Sequence, residues 1–373
     1  MRHPETAPSH ASCTVAVAVS RLAYRCGGSA GIFVRMDRLP CFTRLAQGQG
    51  APEATRRLVQ GRTSRNHEVV AQPLQFPLAS RRLERRTPKG FECNNASHQP
   101  GPSAKPMTSI VQISDTHFGT EQPAVVQALE DHVREHRADL LVFSGDITQR
   151  ARRGQFASAA AFVRRLEADG VGDTLVIPGN HDIPLYNVFA RLFTPYGNYR
   201  QHFGDDLEPV FENEQMLVIG LNTTHPRRHK DGVVTARQVE RVARRLGESD
   251  PGKIRIVVAH QPFGAMVPSD LSNLQHGAEP ALQRWAEHGL DLVMGGHIHL
   301  PYVLPLSRQY PGLAREIWMV QAGTTLSTRL RGTSPNSFNR LKLHPGDEKK
   351  VCVERWDLSA GRFVLGSHFN LSW

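Results

Sequence analysis

The chain of 373 residues carries 45 Lys+Arg against 35 Asp+Glu, a formal charge of +10, and its length allows one large domain or two to three smaller ones. The charge is uneven: residues 1–106 hold 16 of the basic and 6 of the acidic residues, which leaves 29 of each sign for residues 107–373. A formally neutral folded region lacks the Lys/Arg excess of proteins that track phosphate backbones, so nucleic acid is not indicated as its partner.

Residues 1–106 are rich in Arg, Pro, Gly, Ser and Gln, with clusters such as Arg81-Arg82-Leu83-Glu84-Arg85-Arg86, and read as a disordered basic leader. The apolar run Val15–Val19, bounded by Ser20 and Arg21, is too short for a membrane span and a poor signal-peptide core. The Arg-rich, acid-poor composition admits a transit peptide, but the segment is long for one and lacks a clear amphipathic helix. Composition changes abruptly at Met107, as expected if Met107 is the natural initiator and the leader is spurious upstream translation. Cys13, Cys26, Cys41 and Cys93 lie in the leader and only Cys352 beyond it. A domain with one Cys closes no internal disulfide, so a cytoplasmic location is expected.

From residue 107 to 373 strands and helices alternate. Apolar runs predict strands at Ile110–Ile113, Leu140–Phe143, Leu175–Ile177, Ile254–Ala259 and Leu290–Met294, each flanked by Gly, Asp or Pro. Helical spacing covers Ala124–His136, Phe156–Leu166, 235–246 and 279–288, between the strands. Pro184, Pro195 and Gly197 break 184–203 into irregular or short helical structure. Val210–Asn222 reads as two strands around the polar turn Glu212-Asn213-Glu214. Beyond Ile317 the helices stop, and Ile317–Gln321, Phe338–Leu343, Val351–Trp356 and Phe363–Leu365 read as antiparallel strands. The expected fold is α/β, with two sheets packed face to face and helices outside, in one domain.

Five motifs follow strands: Asp115-Thr116-His117, Gly145-Asp146, Gly179-Asn180-His181-Asp182, His260 and Gly296-His297-Ile298-His299. Ligand-type residues thus gather at strand C-termini, the edge where loops diverge and open a crevice. Two divalent ions at the ~3.5–4 Å of a two-metal site repel by about 20 kcal/mol even at an effective dielectric of about 20. Anionic bridges are therefore required, and Asp146 is suited to bridge both ions. Neutral imidazoles fill the shells without excess charge, and a His/Asp/Asn set suits Mn, Fe or Zn better than Ca or Mg. The i, i+2 spacing of Asp115/His117 and His297/His299 would place each pair on one side of an extended segment, able to chelate one ion.

The ordered set D-x-H, G-D, G-N-H-D, H and G-H-x-H between residues 113 and 299 resembles the calcineurin-like metallophosphoesterases. The resemblance implies two packed mixed β-sheets flanked by helices in a four-layer sandwich and two divalent or trivalent metal ions. It also implies that Asp115, His117 and His299 hold the first metal, Asn180, His260 and His297 the second, and that Asp146 bridges them. His181 corresponds to a non-ligand histidine that contacts phosphate and protonates the leaving oxygen. Leu221-Asn222-Thr223 and His260-Gln261-Pro262 are similar to class III cyclic-nucleotide phosphodiesterases and related bacterial phosphodiesterases. Gln261 departs from the second His common there, which puts pocket details in doubt. Ala322-Gly323-Thr324 through Asn339-Arg340 resembles a late segment whose loop crosses near the site.

The expected function is metal-dependent hydrolysis of a phosphodiester, with a small phosphoester as substrate. Alternatives on the same site are a phosphomonoester, a nucleic acid or a lipid headgroup. Outside catalysis stands a metalloprotein that binds a phosphate ligand without turnover. Membrane spans are not expected, and a homodimer is left open. His225, Arg227, Arg228 and His229 line the substrate pocket or form a solvated basic loop; Arg329 and Arg331 contact phosphate or face solvent. Asp182 is expected to orient His181 or cap the turn. Trp285 and Trp318 read as core or interface, and Cys352 as a small buried hydrophobe.

Overall fold

Six consecutive buried residues, Thr108–Ile113, form the first strand, β1, of a computed structural model of the protein that describes residues 108–373. These residues belong to one unit. The expectations for the leader, and for Met107, lie outside the described residues. After β1 come α1 (Pro123–Glu135), β2 (Ala138–Ser144), α2 (Arg153–Asp169), β3 (Val171–Ile177), α3 (Val188–Phe193), α4 (Gly197–Phe203), β4 (Val210–Glu212) and β5 (Met216–Leu221). Then follow α5 (Ala236–Glu248), β6 (Ile254–Ala259), α6 (Ala278–Glu287), β7 (Leu292–Gly295), β8 (Tyr302–Pro305), β9 (Trp318–Gln321), β10 (Ser337–His344), β11 (Lys350–Ser359) and β12 (Arg362–Ser372).

The strands make two six-stranded sheets, ordered β12-β11-β10-β1-β2-β3 and β4-β5-β6-β7-β9-β8. Alternate residues of each strand face opposite sides, and here both sides are covered. Ile110, Leu140 and Leu175 of the first sheet meet Val218, Ile256 and Met294 of the second in a central core. On the outer face of the first sheet Val111 and Phe143 pack with Leu129 of α1 and Phe162 of α2. On the outer face of the second, Leu217 and Val257 pack with Val242 of α5 and Trp285 of α6. Burial on both faces is why the strands read as continuous apolar runs. The result is the expected helix–sheet–sheet–helix sandwich. The helices are started by local chemistry: Pro123 sits in the first turn of α1, where its missing N–H is no loss. At α5, Gln238 N–H donates to Thr235 Oγ1 while Thr235 N–H donates to Gln238 Oε1, a capping box.

The tail departs from expectation. Of the four strands expected to be antiparallel, β9 runs parallel to β7 and closes the second sheet with β8, to which it is antiparallel. The sequence reading passed over β8, a four-residue strand ending in Pro305, as suits an edge. Only β10, β11 and β12 form the antiparallel extension, with β10 against β1. Trp285 is fully buried and Trp318 half-buried. Cys352 is buried on β11, as expected of a small apolar side chain. Among the described residues, no helix is long and apolar enough to cross a membrane.

A polar network ties the two sheets together just below the edge where the motifs emerge. Gln112 Nε2 on β1 donates to Gly295 O on β7 (3.0 Å) and to Ser144 Oγ on β2 (3.2 Å). Asn339 Nδ2 on β10 donates to Gln112 Oε1 (2.9 Å) and to Gln321 O on β9 (3.2 Å). Gln321 Nε2 in turn donates to Gly296 O. These buried amide contacts fix the register of one sheet against the other, with Gln321 Oε1 left without a partner among the described residues.

Candidate metal centre

The parallel strands β1, β2 and β3 of the first sheet and β6 and β7 of the second end at a common edge. Their following loops stay zipped together. Asp115 N–H donates to Gly145 O, His117 N–H to Asp146 O and Gly296 N–H to His260 O. Glycines permit this close approach. A Cβ at Gly296 would lie 2.6 Å from Asp115 Oδ2, and one at Gly145 would lie 2.5 Å from His260 Nδ1.

All seven ligand-type residues converge. Asp115, His117, Asp146 and His299 offer donor atoms within 4.8 Å of one another, and so do Asp146, His260 and His297. Asp146 belongs to both groups. His299 Nε2 is 3.1 Å from Asp115 Oδ1 and from His117 Nε2. His260 Nε2 is 3.2 Å from Asp146 Oδ1 and from Asn180 Oδ1, which brings Asn180 to the second group. The spacing argument fails for one pair. His297 and His299 fall in different groups, and neither sits in an extended segment: both have positive φ, 76° and 58°. Asp115, His117 and Asp146 share that left-handed conformation, at 50°, 43° and 47°, uncommon for residues with a Cβ and typical of strained functional loops.

Burial and charge define what this set can hold. Asp115 and Asp146 are 0% and 2% exposed, and their ion-pair partners among the described residues are histidines rather than Lys or Arg. Burial pushes the Asp115 carboxyl up, but His299 outweighs it and brings it to about 2. Burial likewise opposes ionisation of Asp146, and His260 and His181 hold it well below the carboxylate range. Burial drives His117 down to about 3 and His297 to about 4, the neutral form that ligates metal. For His260 burial is overcome by Asp146, which pushes it up to about 9. A cation placed there takes over the charge balance that the His260 proton provides. The imidazoles are aimed from behind: Nδ1 of His260 donates to Ser144 O (2.9 Å) and Nδ1 of His299 to Arg329 O (2.5 Å), leaving Nε2 for a ligand bond. Two anionic carboxylates, one shared, with oriented imidazoles and an amide fit two divalent cations.

His181 stands beside this set without being grouped with it. Its N–H donates to Asp146 Oδ1 (2.8 Å), and its Nδ1 donates to Gln149 O (3.0 Å). Its Nε2 faces Arg329 Nη1 at 3.2 Å, and the same guanidinium nitrogen lies 3.3 Å from Gln149 Oε1 and 3.5 Å from His117 Nδ1. Arg329 therefore reaches the site rather than facing solvent. Arg331 does neither: it is tied to Asp270 (2.7 Å) and to Ile298 O (3.0 Å). Asp182 accepts from the N–H groups of Ile147, Thr148 and Gly179, and so caps the loops after β2 and β3. Gln149, which no sequence signal marked, lines a cleft of about 300 Å³ with Asn180, His181, Ile183, Leu185, Tyr186, His229 and Lys230. Of the basic loop, His229 thus borders the cleft, while His225, Arg227 and Arg228 are exposed. Gln261, in place of a second His, is buried. It accepts from Thr223 Oγ1 (2.6 Å) and donates to Lys230 O (3.1 Å), anchoring that loop.

An α/β sandwich whose parallel strands deliver carboxylates and imidazoles to one edge is the frame of a metallohydrolase. A family model described as calcineurin-like phosphoesterase matches residues 108–301, just over half of the chain, and the chain belongs to that family. Two solved structures share the fold. One is a purple acid phosphatase from yellow lupin (Lupinus luteus) seeds, with 15% identity and a TM-score of 0.56 over 73% of this chain and 55% of that one. The other is a dimetal phosphatase from Danio rerio, with 14% identity and a TM-score of 0.51 over 72% of this chain and 99% of that one. This chain spans little more than half of the lupin protein. No curated protein matches the sequence.

Proposed function

We propose that the protein is a dinuclear-metal-dependent phosphodiesterase. The observation that carries this reading is the pair of donor groups sharing Asp146, with His181 and Arg329 beside them. Asp115, His117 and His299 would hold one ion, Asn180, His260 and His297 the other, and Asp146 both. Bound there, the ions would neutralise phosphoryl charge and make water nucleophilic near neutral pH. Arg329 adds a fixed positive charge for the phosphoryl oxygens. His181, its Nδ1–H held by the Gln149 carbonyl, presents Nε2 to the leaving oxygen; once Arg329 has turned to the substrate, Nε2 takes up a proton from solvent and passes it to that oxygen.

The cleft beside His181 supports a diester over a monoester. Ile183, Leu185 and Tyr186 give one wall of it an apolar lining, suited to the second, carbon-bearing substituent that a monoester lacks. A cyclic nucleotide is one such substrate implied by the sequence resemblance. Stripping with a chelator should abolish turnover of bis-p-nitrophenyl phosphate and Mn should restore it, with two metal equivalents per chain by elemental analysis. Asp146→Ala should lose both equivalents. Full activity in a metal-free preparation would refute the metal dependence, and a preference for p-nitrophenyl phosphate would refute the diester assignment.

A further inference from the structure

Helix α3 is inside out. Its one buried residue is Arg191, while Val188, Phe189, Leu192 and Phe193 are exposed, Phe189 at 79% and Phe193 at 77%. Leu185 and Tyr186, just before the helix, are exposed as well. The arrangement is fixed by hydrogen bonds. The Arg191 guanidinium donates to Pro184 O (3.0 Å), Pro226 O (2.5 Å) and Arg228 O (3.0 Å), and Asn187 Oδ1 caps the helix through Ala190 N–H. Six large apolar side chains within nine residues of an exposed segment exceed the scattered exposure normal for a protein surface and mark a contact face.

The charge on this face is predominantly basic. The stretch Ile183–Phe203 contains no Asp or Glu. On one side Arg150, Arg152 and Arg153 border a depression shared with Leu185 and Tyr186. On the other lies the loop that Arg191 clamps to α3, with Arg227, Arg228 and Lys230 exposed. Asp182 is buried on backbone N–H groups and Asp231 is half-buried beyond Lys230; Asp205, Asp206 and Glu208 share a separate depression with Arg228, so the basic flank rests on Arg150, Arg152, Arg153, Arg227 and Lys230.

From this pairing of an outward apolar helix with basic flanks we infer that Leu185–Phe193 is a docking surface for an anionic lipid membrane, which would bring the cleft beside His181 to the bilayer surface. Apolar side chains entering the headgroup boundary and basic residues attracted to anionic lipid are the two components of interfacial binding. A second copy of the chain meeting the same face about a two-fold axis would set the Arg150–Arg153 flanks against like charge, with no acid in Ile183–Phe203 to compensate.

The test is co-sedimentation of the full chain with vesicles of phosphatidylcholine alone and of phosphatidylcholine mixed with phosphatidylglycerol, alongside light scattering for oligomeric state. Binding should require phosphatidylglycerol and weaken with salt. Phe189→Ser combined with Phe193→Ser, and Arg153→Glu combined with Arg227→Glu, should each weaken it by roughly tenfold or more. Turnover of soluble bis-p-nitrophenyl phosphate by the Phe variant should stay at the parent level, which also shows that it is folded. Because binding is read without turnover, the inference stands or falls separately from the proposed reaction. Binding that survives both double substitutions, or a Phe variant that converts a dimer to a monomer without affecting vesicle binding, would overturn it.

Discussion

His181 is the residue whose role can be separated most cleanly from metal holding. It touches Asp146 only through its backbone N–H, while its ring is held by Gln149 and faces Arg329. His181→Ala should therefore keep both metal equivalents yet lose roughly 10²–10⁴-fold in rate on diesters with alkoxide leaving groups, the range of general acid catalysis. The loss should be smaller with p-nitrophenolate, which leaves without a proton. Equal losses on both substrates would make His181 a phosphate-binding residue instead. This histidine and the seven ligand-type residues were legible in the sequence because each is a polar residue placed directly after an apolar run. Arg329 was not. It lies 30 residues beyond His299 in a loop without periodicity, and only the fold shows that this loop brings its guanidinium back to the site.

The strands were legible as elements, but the loops that aim the ligands were not. Positive φ at Asp115, His117, Asp146, His297 and His299 leaves only a weak mark in a sequence, since Asp and His are enriched in the left-handed region yet seldom occupy it. Spacing at i, i+2 would let His297 and His299 share an ion, whereas the donor groups separate them, as the family resemblance implied. The partner of β9 could not be read either: a four-residue apolar run does not say which sheet it joins. What sustains the strained loop after β2 is Asp182, whose carboxylate accepts three backbone N–H groups and Thr148 Oγ1. Asp182→Ala leaves those buried donors unpaired and should lower stability by roughly 3–5 kcal/mol in urea unfolding. It should weaken metal affinity as well, because Asp146 rides on that loop. A variant with parental stability would mean that the loop holds its shape without the cap.

At the scale of the molecule, two sheets are pinned at one edge by a centre whose titrating groups respond differently to folding, and this sets the pH response of the chelated protein. His117 and His297 at the centre, and His132 on the buried face of α1, are driven by burial to about 3, 4 and 3 respectively. As pH falls below their ordinary 6.5 the unfolded chain takes up protons that the folded one refuses, so stability drops. His344, lowered by burial as well, acts with them; Asp182, raised by burial to about 6, opposes them, one group against four. His260 acts in the other direction. Asp146 overcomes burial and raises it to about 9, so its contribution is complete below 6.5 and is lost as pH rises from 6.5 through 9; His299, also raised, adds to this. In chelator, Tm measured across pH 4–9.5 (about the span of these shifts) should peak near the ordinary histidine value of 6.5 and decline on both sides. His260→Gln should flatten the alkaline decline while sparing the acid one, since His117, His132 and His297 remain. With Mn bound, the alkaline decline should also disappear, because the cation then balances Asp146 in place of the His260 proton. A chelated protein whose Tm rose steadily from pH 6.5 to 9 would show that Asp146 and His260 do not pair in the folded chain.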